Sequence, residues 1–184
     1  ASEKEVNNVI KTLSGKIAVA AINTLENTVI SGEIEAIEQA IAIFNDKNFK
    51  TTKLQVSHAF HSPLMESILP AFTKVAETIN YSIPQIPFVS NLTGARIAEE
   101  LAMPQYWIDH ICQPVRFAVG METLAKLKCN VFLEIGAKPI LSGMGRLCLP
   151  NNDALWLPSL RSGQSNWRSL LSTLASLYTN HINF

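Results

Sequence analysis

Apolar residues recur at helical spacing at Val6, Val9, Ile10 and Leu13, behind Ser2 and Glu5 at the positions of an N-cap and its capping-box partner. Gly15 is placed to stop that helix, and the apolar, β-prone run from Ile17 to Ile22 predicts a strand. A polar turn over Thr24 to Asn27 and the run "TVISG" complete a predicted hairpin. Ile34, Ile37, Ala40, Ile41 and Phe44 then mark one face of a second helix, and "FKTTKLQVSHAF" predicts a third strand that ends at two histidines. The order α-β-β-α-β is that of a ferredoxin-like split βαβ unit without its first strand, so the native polypeptide is expected to begin earlier.

From Pro63 the pattern changes. Met65, Ile68, Leu69, Phe72 and Val75 lie on one helical face, and Pro70 in the middle should kink the helix or split it. "PFVSNLTG" reads as a short strand and turn, "PQYWIDHI" and "VRFAVGMETLAKL" as helices, and "NVFLEIG" as a buried strand. "PILSGMGRLCL" is a short helix, "ALWLPSL" a strand, and "NWRSLLSTLASLYTNH" a closing helix whose Trp167, Leu170, Leu171, Leu174, Leu177 and Tyr178 are expected in the core. Strands alternating with helices argue for an α/β layer. The expected organisation is an incomplete ferredoxin-like small subdomain over residues 1–56, followed by an α/β portion over residues 57–184.

Composition narrows the functional classes. The 184 residues, 47% hydrophobic with mean hydropathy +0.15, suit a soluble globular chain, and no apolar run approaches the roughly 20 residues of a membrane span. Fifteen basic and fifteen acidic side chains cancel without forming a basic stripe, which argues against nucleic acid as a partner. Cys112, Cys129 and Cys148 show no CxxC spacing and cannot all pair, which suits a reducing cytoplasm.

The candidate chemistry lies in "VSHAFHSPLME", where His58 and His61 stand three residues apart between an extended run and a helix. Three readings compete. Metal ligation would need a further donor, with His110 as the available histidine, and no HExxH or paired CxxC supplies one. Either histidine could instead be a packing or capping residue satisfied by backbone groups. Third, a histidine at the carboxyl end of a strand, just before a helix, sits where α/β folds place their chemistry, which favours His61 as a general base.

The same stretch resembles the His-Ala-Phe-His segment of acyltransferase domains in modular type I polyketide synthases, relatives of the malonyl-CoA:acyl carrier protein transacylases. "VAAINTLENTVISGE", "VSNLTG", "YWIDHICQPVRF", "FLEIGAKPIL" and "LPSLRSGQSNW" are similar to further blocks of that family, in order and over nearly the whole chain. The resemblance implies an α/β-hydrolase-like large subdomain, of which residues 57–184 would be the C-terminal part. It implies that His61 is the catalytic base, held by a main-chain carbonyl in "QPVRF" assigned to Arg116, with His58, Phe60 and Asn23 at the substrate. No bound cofactor is implied. Malonyl-CoA would be the substrate, the phosphopantetheine arm of an acyl carrier protein the acceptor, and the rest of the synthase the structural partner.

The departures are equally informative. The family's Gly-His-Ser-x-Gly nucleophile elbow does not occur in the sequence, and "LSGMGRL" follows the wrong strand to replace it. "TLEN" stands where the family has Gly-Pro, and Ala137 where it has proline. Expected activity is therefore acyl transfer from malonyl-CoA through a serine outside the chain, the fragment alone being inactive. A non-catalytic packing module and a His58–His61–His110 metal site are the alternatives.

Overall fold

The reciprocal cap anticipated at the N-terminus is formed: Ser2 Oγ accepts from the Glu5 amide at 3.4 Å and the Glu5 carboxylate accepts from the Ser2 amide at 2.8 Å. It starts α1 (Glu3–Ile10), which buries Val6 and Val9. The computed structural model describes residues 1–182. Contacts divide the chain into two compact units, Ala1–Thr123 and Leu124–Phe184.

In the first unit, β1 (Ile17–Thr24) and β2 (Asn27–Gly32) form the predicted antiparallel hairpin, with Thr24 opposite Asn27. Ile17, Val19, Ala20 and Ile22 are buried in β1. Gly32 has to be glycine because a Cβ there would lie 2.2 Å from the Lys16 carbonyl oxygen. A register shift between Val19 and Ala21 interrupts the ladder with β2 at Ala20. The Ala20 carbonyl then accepts from the Val115 amide at 2.9 Å, and the Ile22 amide donates to the Val115 carbonyl at 2.8 Å. The helix α2 (Ile34–Asp46) buries Ala36, Ala40 and Phe44, while Ile34, expected on its apolar face, is exposed.

The third strand predicted in "FKTTKLQVSHAF" does not form among the described residues: 51–56 carry no ladder pairing, and Leu54 and Val56 are exposed. Side-chain propensity cannot make a strand without a backbone partner. The edge of β1 that faces away from β2 is taken by Val115 instead. Residue 56 lies inside the first of the two units.

Pro70 splits the next helix as anticipated, giving a 3-10 helix over Pro63–Ile68 and then α3 (Leu69–Ala76) with the proline in its first turn, where no amide partner is lost. Buried Ser62 caps the first piece, accepting from the Leu64 amide at 3.3 Å and donating to the Ala59 carbonyl at 2.6 Å. A short hairpin, β3 (Phe88–Val89) with β4 (Arg96–Ile97), encloses the "SNLTG" turn. A second 3-10 helix (Glu99–Ala102), α4 (Pro104–Cys112) and α5 (Phe117–Lys126) follow. Gly94, at φ +71°, closes the turn and would put a Cβ 2.6 Å from Val119. Thr123 Oγ1 donates to its carbonyl at 2.6 Å.

The second unit pairs β5 (Val131–Glu134) parallel to β6 (Leu155–Pro158), with α6 (Ile140–Cys148) between them and α7 (Asn166–Thr179) after them. Phe132 stacks on Trp156 with ring centroids 4.2 Å apart, and the Arg146 guanidinium lies over the same indole. Two expectations fail here. Leu133 and Ile135 of the predicted buried strand are exposed, although Leu157, opposite Leu133 on β6, is buried. Trp167, Leu170, Leu171, Leu174 and Tyr178 of α7 are exposed too. That helix turns Ser169 and Leu177 inward, and Thr173 Oγ1 donates to the Pro158 carbonyl at 2.7 Å. No helix among the described residues is long and apolar enough to cross a membrane.

At the end of β5, the Glu134 carboxylate accepts from the amides of Ile140, Leu141 and Ser142 at 2.9, 2.9 and 2.7 Å, closing the N-terminus of α6. Burial alone would raise its pKa, but hydrogen bonds from Ser142 and from the backbone outweigh burial and hold it below the ordinary 4.5. A lowered folded pKa contributes stability that is complete above the unfolded value and is lost as pH falls through the folded one. Glu134→Gln is expected to cost about 1–2 kcal/mol at neutral pH. Urea unfolding of both proteins at pH 7 and again well below 4.5 checks this, because the gap should narrow on acidification.

Candidate active site

His61 stands at the junction that the 3-10 helix leaves open, and its backbone is in the left-handed region at φ +57°. For a residue with a Cβ this conformation costs of order 1–3 kcal/mol and persists only where surrounding contacts impose it. Two hydrogen bonds from the end of α4 do so. The His61 amide donates to the Ile111 carbonyl at 3.2 Å, and Nδ1 lies 2.9 Å from the Gln113 carbonyl. A carbonyl can only accept, so Nδ1 carries the ring proton and Nε2 keeps its lone pair. That is the tautomer a general base needs.

The carbonyl that holds the ring corrects the expectation of Arg116. The Arg116 carbonyl accepts from the Gly120 amide at 3.0 Å and is committed to the first turn of α5. Its amide donates to the Asn91 carbonyl at 2.7 Å, and its guanidinium approaches Glu3 at 3.6 Å. Gln113 is available because Pro114 follows it. A residue before proline is pushed out of the helical region, and Gln113 lies at φ −79°, ψ 149°, which ends α4 and turns its carbonyl outward. The "QP" dipeptide was the signal that could have singled it out.

The other candidates fall around this point to different degrees. His58 is exposed, its Nδ1 2.9 Å from Ser57 Oγ, and its ring lies 5.8 Å from that of Phe60, so the two form one wall of tilted rings. Phe60 is half exposed. Asn23, near the end of β1, reaches Asn27 Oδ1 at 3.4 Å. Its neighbour Ile22 is bonded to Val115, two residues from the Gln113 carbonyl that meets His61.

Three more residues contribute to it, of which the sequence singled out only His110, as a metal-ligand alternative. The His110 ring packs edge-on against His61 with centroids 5.7 Å apart. Burial first, and the neighbouring His61 second, hold the His110 imidazole below its ordinary pKa. Tyr106, one turn earlier on α4, packs on His110 and shares a hydrogen bond of 2.9 Å with the fully buried Ser90. Helical spacing links Tyr106 to His110, but it gives a shared face and not a neighbour. No group of three or more His, Cys, Asp or Glu side chains converges as a metal site among the described residues.

The arrangement can take a proton at Nε2 and hold the resulting imidazolium through a main-chain carbonyl. Comparison with known proteins places it. The acyl transferase domain family matches residues 2–183. The PKS-NRPS hybrid synthetase acdB of Aspergillus candidus is 37% identical over 187 residues, covering 99% of this chain and 8% of the relative. The solved acyltransferase domain from the second module of the salinomycin polyketide synthase superposes with a TM-score of 0.94 at 38% identity, over 100% of this chain and 43% of that one. A malonyl CoA-acyl carrier protein transacylase from Clostridium perfringens gives a TM-score of 0.82 at 26% identity, over 99% of this chain and 56% of its own. The chain thus spans less than a tenth of the first of these and about half of each of the others. Matched over nearly its full length, this mixed α/β chain belongs to the acyltransferase domains of type I polyketide synthases.

Proposed function

We propose that this chain supplies the general base of an acyltransferase that moves a malonyl unit from malonyl-CoA to the phosphopantetheine thiol of an acyl carrier protein. On this reading residues 1–56 belong to a ferredoxin-like small subdomain and residues 57–184 to the C-terminal part of a hydrolase-like large one. The nucleophile is a serine outside these 184 residues. His61 Nε2 removes the serine proton as the oxygen attacks the thioester carbonyl, and returns it to the departing CoA thiolate. In the second half, the pantetheine thiol gives its proton to His61 and attacks the acyl ester, and the proton passes to the departing serine oxygen. Gln113 keeps the ring in one tautomer throughout. The observation that carries the reading is the 2.9 Å contact from His61 Nδ1 to that carbonyl, which leaves Nε2 available.

Phe60 and His58, as one ring wall beside the base, are assigned to acyl selection, and Asn23 is assigned a more distant place at the substrate. A phenyl ring fills the volume an α-methyl group needs, and discrimination by one methyl is worth about 1–3 kcal/mol. The test is competition between malonyl-CoA and methylmalonyl-CoA for the acyltransferase that carries this chain, with the acyl-enzymes weighed by mass spectrometry. Malonyl should predominate on a serine outside the chain, and Phe60→Ser with His58→Tyr should relax the preference without inverting it. Loading of methylmalonyl at least as fast as malonyl by the unaltered enzyme would remove Phe60 from that role. An acyl group mapped to a residue of this chain would overturn the assignment of the nucleophile.

A further inference from the structure

Everything that holds His61 from the far side comes from one turn of α4. The Ile111 carbonyl takes its amide proton, the Gln113 carbonyl takes its ring proton, and the ring of His110 stands edge-on to its imidazole at 5.7 Å and 75°. The first two contacts are backbone and would persist with almost any side chain. The third is a choice of residue. His110 is itself fixed, because Tyr106 packs on it at 6.0 Å and Tyr106 is anchored at 2.9 Å to Ser90, a side chain with no exposure. A continuous series of contacts therefore runs from a buried serine to the base: Ser90, Tyr106, His110, His61.

We infer that His110 is a positioning residue for His61: its ring braces the base in the left-handed turn, and the contact makes the charge of His110 depend on its neighbour. The inference rests on His61 being the base. Its logic is geometric first. Nδ1 bonded to one carbonyl leaves the imidazole free to swing about that bond, and an edge-on ring within contact distance blocks the swing. A misplacement of about 1 Å at a reacting group can cost on the order of 100-fold in rate.

The second part follows from charge. Two imidazolium rings in contact repel, so only one of the pair charges readily. Ionisable groups on the elements packed against α4 are His61, Glu66 on the first 3-10 helix, Lys74 on α3, and Glu99 and Glu100 on the second. Among these it is His61 that bears on the charge of His110. Glu66 acts instead, with Asp109, on the Cys112 thiol, whose pKa burial raises first. Burial and the neighbouring His61 make His110 more resistant to charging, which suits a brace that adds no charge of its own.

The test has two arms with different readouts. NMR titration of the histidine ring signals in the 184-residue chain should show the His110 signal titrating at a higher pH in His61→Gln than in the unaltered chain. A His110 titration that does not move would overturn the pairing, whatever happens to activity. In the acyltransferase that carries the chain, His110→Ala should lower kcat about 10- to 100-fold with KM nearly unchanged. His110→Phe, which keeps a ring edge and cannot charge, should recover most of the loss. Equal activity for the alanine and phenylalanine variants, or a loss expressed only in KM, would overturn the bracing role. Failure of the base assignment would look different, since His61→Ala would then retain activity.

Discussion

Replacing His61 with alanine in the acyltransferase that carries this chain is expected to lower acyl transfer by about 100-fold or more, within the 10²- to 10⁴-fold range of a positioned general base. The loss should fall on kcat, because the ring acts on a proton in flight rather than on bound substrate. The fold should survive. His61 is a partly exposed residue in a strained backbone conformation, so removing its side chain opens no large cavity, and Ile111 keeps a bond to its amide. His58→Ala is expected to cost less, since His58 is exposed and contacts Ser57 and Phe60 rather than the carbonyl of Gln113. Steady-state transfer to the carrier protein, with circular dichroism of each variant, separates the two cases. Equal losses at both positions would indicate a shared structural role.

The largest expected loss of stability is at Phe44. It is 5% exposed on the inner face of α2, with its ring edge against Phe49 at 6.0 Å. Truncation to alanine should cost about 3–5 kcal/mol, the sum of lost transfer energy and an imperfectly filled cavity. The effect reaches the site by a traceable route. Helix α2 packs on β2, β2 pairs with β1, and β1 holds Val115, two residues from the carbonyl that orients His61. Phe44→Ala should therefore lower the denaturation midpoint and, below full unfolding, reduce activity. Phe44→Leu, which keeps most of the volume, should lose far less of both.

The sequence alone determined the local elements. Ser2 and Glu5 specified a cap, Thr24 to Asn27 a hairpin turn, and Pro70 a break between two helical pieces, and all three are found where the pattern put them. These features depend on groups a few residues apart, so their physics is contained in a short window. The turn at His61 before the helix that begins at Pro63 was legible as well, because it too is a local arrangement.

What required the tertiary structure was every question of partner. Residues 51–56 have the side chains of a strand but pair with no ladder among the described residues, and it is Val115 that bridges to β1. The stripe on α7 has the spacing of a core face, yet the helix is seated by Ser169, Thr173 and Leu177. The carbonyl that holds His61 belongs to Gln113 and not Arg116, because the Arg116 carbonyl is already spent on α5 while Pro114 turns Gln113 outward. His110 became part of the site only when 49 positions of sequence separation closed to 5.7 Å between rings. Periodicity assigns a residue to a face, but what that face meets depends on contacts between segments far apart in the chain, and no short window contains them.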